Sequence, residues 1–255
     1  MRKHLILILA TFVFSLLVAA SLQAQEAMNE GIAELVKITP VAGKGAELEK
    51  AIERYHHWMA NKEGHFEYNW YSIETGPDTG KYIARSGDHN WADLDVEHDW
   101  DEQADAKFAE TIAPLIERVE RIITRDMDDV SHWPESFEGY THFVVEDWYI
   151  KNGSYGAFMK GLKKIHAALT KGGFPGYWGF MSVVSGGHGN QVTLVSPNKG
   201  WSGMTDKDPS FSKIMAAELG GQEEYEAFMS EWGMTFKPGH NHMVRYLPEA
   251  SDYGN

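Results

Sequence analysis

The sequence predicts an α+β protein made of two tandem repeats, each with the element order βαββαβ, packed together as a fused barrel. Three observations support this prediction. Identical residues recur at a spacing of 110, as between His56 and His166 and between Trp91 and Trp201. Strand-type and helix-type apolar spacings follow each other in the same order in both halves. Nine Trp and an aromatic share of 13% require a large core or a lined cavity.

The repeat boundaries follow from pairs of matching residues. Besides the His and Trp pairs, these are Gly43/Gly153, Lys50/Lys160, Ser72/Ser182, Gly76/Gly186 and Ser86/Ser196. Near the end of each half the spacing becomes 114, which aligns WPE at 133–135 with LPE at 247–249. We therefore expect a first repeat over residues 25–135 and a second over residues 136–255, each one supersecondary unit.

The first repeat begins with a strand and a helix. Residues 34–39 (ELVKIT) are β-prone, and the turn-like residues 40–45 follow them. A helix over 46–60 comes next, because its apolar residues fall on one face at helical spacing: Leu48, Ile52, Tyr55 and Met59.

Two strands and a second helix complete this repeat. An aromatic strand over 66–74 and a strand over 81–85 flank the hairpin turn GPDTG. A helix is expected over 104–122 and a closing strand over 123–130. The helix prediction rests on the helical spacing of Phe108, Ile112, Leu115 and Val119.

The second repeat follows the same order. Residues 142–166 are expected to form a strand, a Gly turn and a helix, with Phe158, Leu162, Ile165 and Leu169 on the apolar face. The remaining predicted elements are strands over 177–184 and 191–195, helices over 211–219 and 223–232, and a strand over 234–246.

Each unit of this kind is the ferredoxin-like motif. Strands so rich in aromatic residues are unsuited to water, so the two sheets are expected to cover each other. The element order and the internal repeat resemble the fused form of the dimeric α+β barrel superfamily, which includes antibiotic-biosynthesis-monooxygenase-like, NIPSNAP-like and chlorite-dismutase-like proteins. The resemblance covers roughly residues 34–248. It implies a cavity between sheet and helices for a small apolar or aromatic ligand, with haem as one implied cofactor, but no catalytic signature of any member is present.

The N-terminus predicts a secretory signal peptide over residues 1–24. Arg2 and Lys3 precede an apolar run from Leu5 to Ala20, and small residues follow. We expect export to the periplasm or the medium, with no stable membrane anchor after cleavage. A permanent anchor helix is the alternative, but the run is short for a membrane span.

The composition narrows the classes of function. The formal net charge is −14 and no Lys/Arg-rich run occurs, so nucleic acid and anionic membrane surfaces are excluded as partners. The chain has no Cys, which excludes disulfides, thiolate metal sites and a Cys nucleophile. A small-molecule ligand is the expected partner, and self-association stays open.

Two His residues on the last predicted strand form one candidate site. His240 and His242 are two residues apart, so a strand places both on one face, and with a third ligand they could bind a divalent metal. Candidate third ligands are His142, Glu146 and His188. We expect His142 and Glu146 to converge with the His pair as metal ligands (His142, His240, His242) or acid–base groups (His240, His242, Glu146). The alternative is that these faces lie under the helices or in solvent.

The repeated His56 and His166 form a second candidate site. Each lies at the edge of the buried helix face near the helix C-terminus, where it could line a cavity and bind a cofactor or ligand together with Trp70 and Phe180 of the aromatic strands. The alternative is structural, because a half-buried His suits the C-terminal dipole of a helix.

An acidic segment follows the first hairpin. In DLDVEHDWD, residues 93–101, every second residue is acidic. Such loops can bind Ca²⁺, but His98 stands where an EF-hand requires Gly, and Ala104 stands where it requires Glu. We therefore expect a solvated acidic loop.

The function expected from the sequence is binding of a small apolar or aromatic molecule by an exported protein, with oxygenase-like activity as the enzymatic hypothesis. The alternative is a non-catalytic ligand carrier or an assembly protein of the cell envelope. An inward-facing imidazole or carboxylate in the cavity would favour an enzyme, whereas a carrier needs only an apolar lining.

Overall fold

The structure, a computed structural model, describes residues 30–251, and the predicted signal peptide over residues 1–24 lies outside the described residues. The strands are β1 (Ile32–Pro40), β2 (Asn69–Ile73), β3 (Tyr82–His89), β4 (Ile116–Asp126), β5 (His142–Ile150), β6 (Gly179–Ser185), β7 (Gln191–Asn198) and β8 (Phe236–Tyr246). The helices are α1 (Gly45–Met59), α2 (Asp101–Thr111), α3 (Tyr155–Lys171), α4 (Phe211–Leu219) and α5 (Gln222–Gly233). Between residues 30 and 251, no helix has the length and apolar character needed to cross a membrane.

The predicted fold class is confirmed. All eight strands close into one antiparallel barrel in the order β1-β3-β2-β8-β5-β7-β6-β4, so the strands of the two repeats belong to a single sheet. Both repeats have the order βαββαβ, with the last helical segment of the second divided into α4 and α5. The predicted boundary between residues 135 and 136 falls in the connection from β4 to β5.

The predicted helix over 104–122 is wrong in its second half. Helix α2 ends at Thr111, and Ile116 already begins β4. Pro114 stands between them, where a continuing helix would lose a backbone hydrogen bond. The apolar residues of this stretch happen to continue the helical spacing, but they belong to β4, where Ile116 and Val119 pair with β1.

Near the end of each repeat, the number of positions that separates equivalent residues is 120 and not the predicted 114. Strands β4 and β8 both have 11 residues and begin 120 positions apart, as do the 3-10 turns Asp128–Val130 and Pro248–Ala250 that follow them. The match of 133–135 with 247–249 is therefore wrong. The spacing grows from 110 to 120 because the second repeat inserts a Gly220-Gly221 break and the extra helix α5.

The two repeats exchange their C-terminal turns. Met127 and Val130 of the first repeat lie in the core of the second, whereas Leu247 and Ala250 of the second lie in the core of the first. Matching backbone hydrogen bonds fix the exchange: Met127 N–H donates to the Phe180 carbonyl and Leu247 N–H to the Trp70 carbonyl, both at 2.9 Å. Neither helical layer is complete without the other repeat.

The interior of the closed barrel contains both apolar and charged side chains. Ile73, Phe143 and Val244 form its apolar cluster. Elsewhere Asp78 bridges Lys37 and Lys81, and Arg85 pairs with Asp126 at 2.5 Å. Burial would raise the pKa of Asp78, but the hydrogen bonds from the two lysines outweigh it and lower the pKa to about 2. The barrel interior thus holds apolar residues and ion pairs.

The two helical layers differ in how completely they are packed. Under α3, α4 and α5, large aromatic residues fill the space against the sheet, among them Trp148, Phe158, Trp178, Phe180, Trp232 and Phe236. The core under α1 and α2 is smaller and mainly aliphatic, with Ile38, Leu48 and Ile52 at its centre. This difference leaves space in the first repeat.

Candidate functional site

A cavity of about 370 Å³ lies between the helices and the sheet of the first repeat. Its sheet side is formed by Val36, Ile38, Tyr68, Trp70, Ala84, Val119 and Arg121. Its helix side is formed by Ile52, Tyr55, His56, Met59, Phe108 and Ile112. The segments 64–66 and 93–101 contribute the rest of the lining. Most of this surface is apolar or aromatic, with a few polar groups, which is the usual character of a small-molecule site.

The second repeat shows why this space is open. Ile38 of β1 corresponds to Trp148 of β5 at the 110 spacing, and the Trp148 ring contacts the rings of Phe158, Trp232 and Phe236 at centroid distances of 5.1–6.1 Å. Trp232 lies so close to α3 that a Cβ on Gly161 would be 2.1 Å from it. The first repeat has the smaller Ile38, and its shorter α2 brings no second indole to this position.

One wall of the cavity carries a hydrogen-bonded polar group. The buried Glu34 accepts hydrogen bonds at one carboxylate oxygen from Arg121 Nε (2.9 Å) and Nη2 (2.5 Å), and at the other from the Tyr68 hydroxyl (3.1 Å). Burial, followed by the charge of Glu34, raises the pKa of Tyr68 well above its usual value. Tyr68 therefore stays a neutral phenol, and the guanidinium balances the carboxylate charge.

Two imidazoles also line the cavity. His56 is buried in the last turn of α1. His65 follows that helix, and its Nδ1 lies 2.6 Å from the Lys62 carbonyl oxygen. Because a carbonyl only accepts, Nδ1 carries the proton, and in the neutral imidazole the lone pair is on Nε2. His65 thus has the tautomer of a general base acting through Nε2.

The segments 61–68 and 91–101 cover the cavity and contact each other. Trp100 Nε1 donates to the Glu63 carbonyl at 3.1 Å, and the Trp100 ring stacks on His98 at 4.5 Å. Gly64 has φ of +76° and packs against His98, where a Cβ would lie 2.8 Å from the imidazole. A side chain at this position would separate the two covering segments.

The C-terminal turn of the second repeat holds Trp70 in place. The buried Ser251 hydroxyl accepts from Trp70 N–H at 2.8 Å and donates to the Leu247 carbonyl at 2.7 Å. The equivalent residue of the first repeat, Ser131, makes the same bonds in the core of the second repeat: it accepts from Phe180 N–H and donates to the Met127 carbonyl, both at 2.9 Å. Only the Ser251 bond supports a residue of the cavity.

We predict that Ser251→Ala and Ser131→Ala each lower the free energy of unfolding by about 1–3 kcal/mol, because each leaves a backbone N–H without its acceptor. Ser251→Ala should in addition weaken ligand binding several-fold, because Trp70 lines the cavity. Urea unfolding and ligand titration of both variants measure this difference. Equal loss of affinity in both variants would contradict a local role for Ser251.

The structure places the candidate residues His56 and Trp70 in a different environment from His166 and Phe180. His56 and Trp70 both line the cavity. Their counterparts lie in the packed second repeat, where Phe180 is buried in the aromatic core and His166 packs edge-on against Trp178 at 5.8 Å. Of these four residues, only His56 and Trp70 line the cavity. Their predicted role in binding a ligand stays a prediction, as it does for His166 and Phe180.

The predicted convergence of His142, Glu146, His240 and His242 does not occur. The register pairs Val145 with His242 and Glu146 with Asn241. Paired residues share a face and neighbours alternate, so His142 and Glu146 lie on the face opposite to His242. His240 is exposed at the register shift in β8. Within residues 30–251 no group of three or more His, Asp and Glu side chains could hold a metal ion. Any individual role of these residues stays a prediction.

Sequence reasoning missed several residues of this cavity. Tyr68, His65 and Arg121 line the cavity and Glu34 binds two of them, and no motif in the sequence singles out these four residues. The adjacency of β1 and β4 in a ferredoxin-like sheet was an available signal, because it brings Glu34 and Arg121 together. For His65 the sequence offers no signal, since it lies in an irregular segment.

Haem, which the resemblance implied, does not fit this cavity. His56 and His65 offer imidazoles of the type that binds haem iron. However, about 370 Å³ is near the lower end of the roughly 300–1,000 Å³ of small-molecule sites, and a porphyrin with four pyrrole rings and two propionates is a large ligand. Arg121, a potential propionate partner, is already paired with Glu34.

The sequence matches no family model and no curated protein. Several solved structures share its fold. A "putative monooxygenase" from Lactobacillus acidophilus NCFM has a TM-score of 0.52 at 11% identity, covering 86% of this chain and 93% of its own. An anthrone oxidase-like protein has a TM-score of 0.53 at 11% identity, covering 86% and 92%. Chlorite dismutase from Candidatus Nitrospira defluvii, in complex with imidazole, has a TM-score of 0.51 at 8% identity, covering 87% and 92%. The chain therefore has the dimeric α+β barrel fold in its fused two-repeat form, and identities this low show the fold alone.

Proposed function

We propose that this protein binds one small apolar or aromatic organic molecule in the cavity of the first repeat and acts on it as an oxygenase-like enzyme. The observation that carries the proposal is the asymmetry of the repeats: equivalent spaces are filled by aromatic side chains in the second and left open in the first. An unfilled apolar space in a core costs stability, so its retention favours a ligand.

The polar groups favour an enzyme over a carrier. His65 and His56 line the cavity, and so does Tyr68, which remains a neutral phenol. An imidazole there can take a proton from a weakly acidic C–H of a bound aromatic molecule. The resulting carbanion reduces O₂ and forms a C–O bond to it, the imidazolium returns the proton to give a hydroperoxide, and loss of water leaves a carbonyl group. The imidazolium formed in the first step balances the charge of the anion, while Tyr68, whose O–H is donated to Glu34, remains a neutral phenol. The names of the monooxygenase and anthrone oxidase-like neighbours agree with chemistry of this class.

The proposal includes export. Its support is the sequence alone, in which Arg2 and Lys3 precede the apolar run to Ala20. N-terminal sequencing of protein from the native host tests it, with a start near Ser21 or Gln25 expected and an intact Met1 contradicting it.

The test of binding is a titration of the purified protein with 2-naphthylmethanol, followed by the fluorescence of its Trp residues, two of which line the cavity. A ligand of this size should bind one to one with an affinity of about −6 kcal/mol, a Kd of tens of micromolar. The absence of saturable binding up to millimolar probe would contradict the proposal.

A second arm tests catalysis by the uptake of O₂ with anthrone. The His65→Gln variant should lose about 100-fold or more of the rate, because a positioned general base contributes that much, while binding of 2-naphthylmethanol persists. Binding without any O₂ uptake above the spontaneous rate would leave a carrier as the function.

A further inference from the structure

The acidic segment 93–101 forms part of the cavity lining, and its five carboxylates lie in two kinds of position. Asp93 and Asp101 line the cavity together with Leu94, Val96, His98 and Trp100, whereas Asp95, Glu97 and Asp99 lie outside the lining and are exposed. The acids at the two ends hold the shape of the segment. Asp93 accepts from Asn90 N–H at 2.9 Å, and Asp101 accepts from His98 N–H at 2.7 Å. The three exposed carboxylates therefore stand on the outer side of the residues that line the cavity.

The nearby cations do not neutralise these three carboxylates. Arg121 is paired with Glu34. Lys62 and Lys107 lie over the Trp58 ring, at 4.4 and 5.6 Å from its centroid. None of the ion pairs formed within residues 30–251 includes Asp95, Glu97 or Asp99. The outer side of this segment is therefore a source of negative potential.

This potential should act on a ligand in the cavity, because each of the three carboxylates belongs to a residue next to one that lines it. Charges act over about 8–10 Å at physiological ionic strength, and low-dielectric walls concentrate their field. The lining includes the aromatic side chains of Phe66, Trp70, Trp100 and Phe108, and aromatic rings attract an ammonium group. An anionic ligand would meet the carboxylates of the segment without a free guanidinium in the lining to receive it.

We propose that the segment 93–101 selects the ligand by charge, so that the cavity takes an aromatic molecule bearing an amine and discriminates against the corresponding carboxylate. This inference rests on the proposed binding function and names its substrate class. It assigns to Asp95, Glu97 and Asp99 a role in specificity without contact to the ligand.

The test compares three probes of nearly equal size: 2-naphthylmethylammonium, 2-naphthylmethanol and 2-naphthoate. At low salt the ammonium probe should bind on the order of 10-fold more tightly than the carboxylate, with the alcohol between them. Salt at about 0.5 M should reduce that ratio to roughly 2-fold. The triple variant Asp95→Asn/Glu97→Gln/Asp99→Asn should reduce it similarly at low salt while its affinity for the alcohol is unchanged.

The matched control removes three exposed acids from α5 of the second repeat, Glu223→Gln/Glu226→Gln/Glu231→Gln, for the same change in net charge. It should retain the discrimination of the unmodified protein. Equal affinity for the ammonium and carboxylate probes at low salt, or an unchanged ratio in the variant of segment 93–101, would overturn the inference. If the alcohol still binds in either case, the proposed binding function stands; if it also fails to bind, that function fails.

Discussion

Replacement of Ile38 by Trp is expected to lower ligand affinity by at least about 100-fold, or about 2.7 kcal/mol. The change copies Trp148 of the second repeat into the first. Ile38 is 1% exposed and lines the cavity, so an indole at this position takes the volume that the ligand would use. Because the ring enters existing space, the free energy of unfolding should change by less than about 1.5 kcal/mol. Titration with 2-naphthylmethanol and urea unfolding measure the two quantities.

The control for this substitution is Ile38→Leu, which keeps the side-chain volume and should bind the probe within about 3-fold of the unmodified protein. A folded Ile38→Trp protein that binds the probe with unchanged affinity would place the ligand elsewhere. Preserved stability together with lost binding would show that the first repeat tolerates the packing of the second.

Replacement of Phe158 by Ala should have the largest effect on stability, a loss of about 3–5 kcal/mol. Phe158 is fully buried, stacks on Trp232 at 5.5 Å and contacts Trp148 and Phe236 edge-on. Trp232 Nε1 also donates to the Phe158 carbonyl at 3.0 Å. Removal of the ring leaves an apolar cavity among aromatic neighbours that cannot all move into it.

The matched substitution in the first repeat is Leu48→Ala, since Leu48 corresponds to Phe158 at the 110 spacing and is equally buried. It should destabilise less, because its core is smaller and already adjoins open space. Thermal and urea unfolding compare the two variants. A smaller loss for Phe158→Ala than for Leu48→Ala would show that the second repeat is not the better packed half.

The fold could be predicted because its signals are local and repeated. The helix faces at Leu48 and Phe158 and the Gly-rich turns recur at one spacing. The predicted boundaries of most elements therefore differ from the observed ones by only a few residues. Helix α2 was extended too far because Ile112, Leu115 and Val119 fit a helical spacing across Pro114. Tertiary pairing with β1 decides that β4 is a strand.

The site could be predicted only in part. Helix periodicity indicated His56, but it could not show that the first repeat has a cavity and the second does not, because that difference depends on the volumes of residues such as Ile38 and Trp148. The proposed His cluster failed on strand register. In the structure His242 pairs with Val145, one residue away from Glu146. Because side chains alternate between the two faces of a sheet, this difference of one residue puts His242 and Glu146 on opposite faces.

The exchange of C-terminal turns determines when during synthesis this molecule can complete its folding. The Trp70 N–H donates its hydrogen bond to Ser251, a residue 181 positions later. As the chain is made from its N-terminus, the first repeat is present long before Leu247, Ala250 and Ser251 exist. Early folding of that half alone therefore leaves its helical layer open and the Trp70 backbone unpaired. Contacts of such long range slow folding, so the final step is expected to be the docking of residues 247–251, after which both halves become stable together.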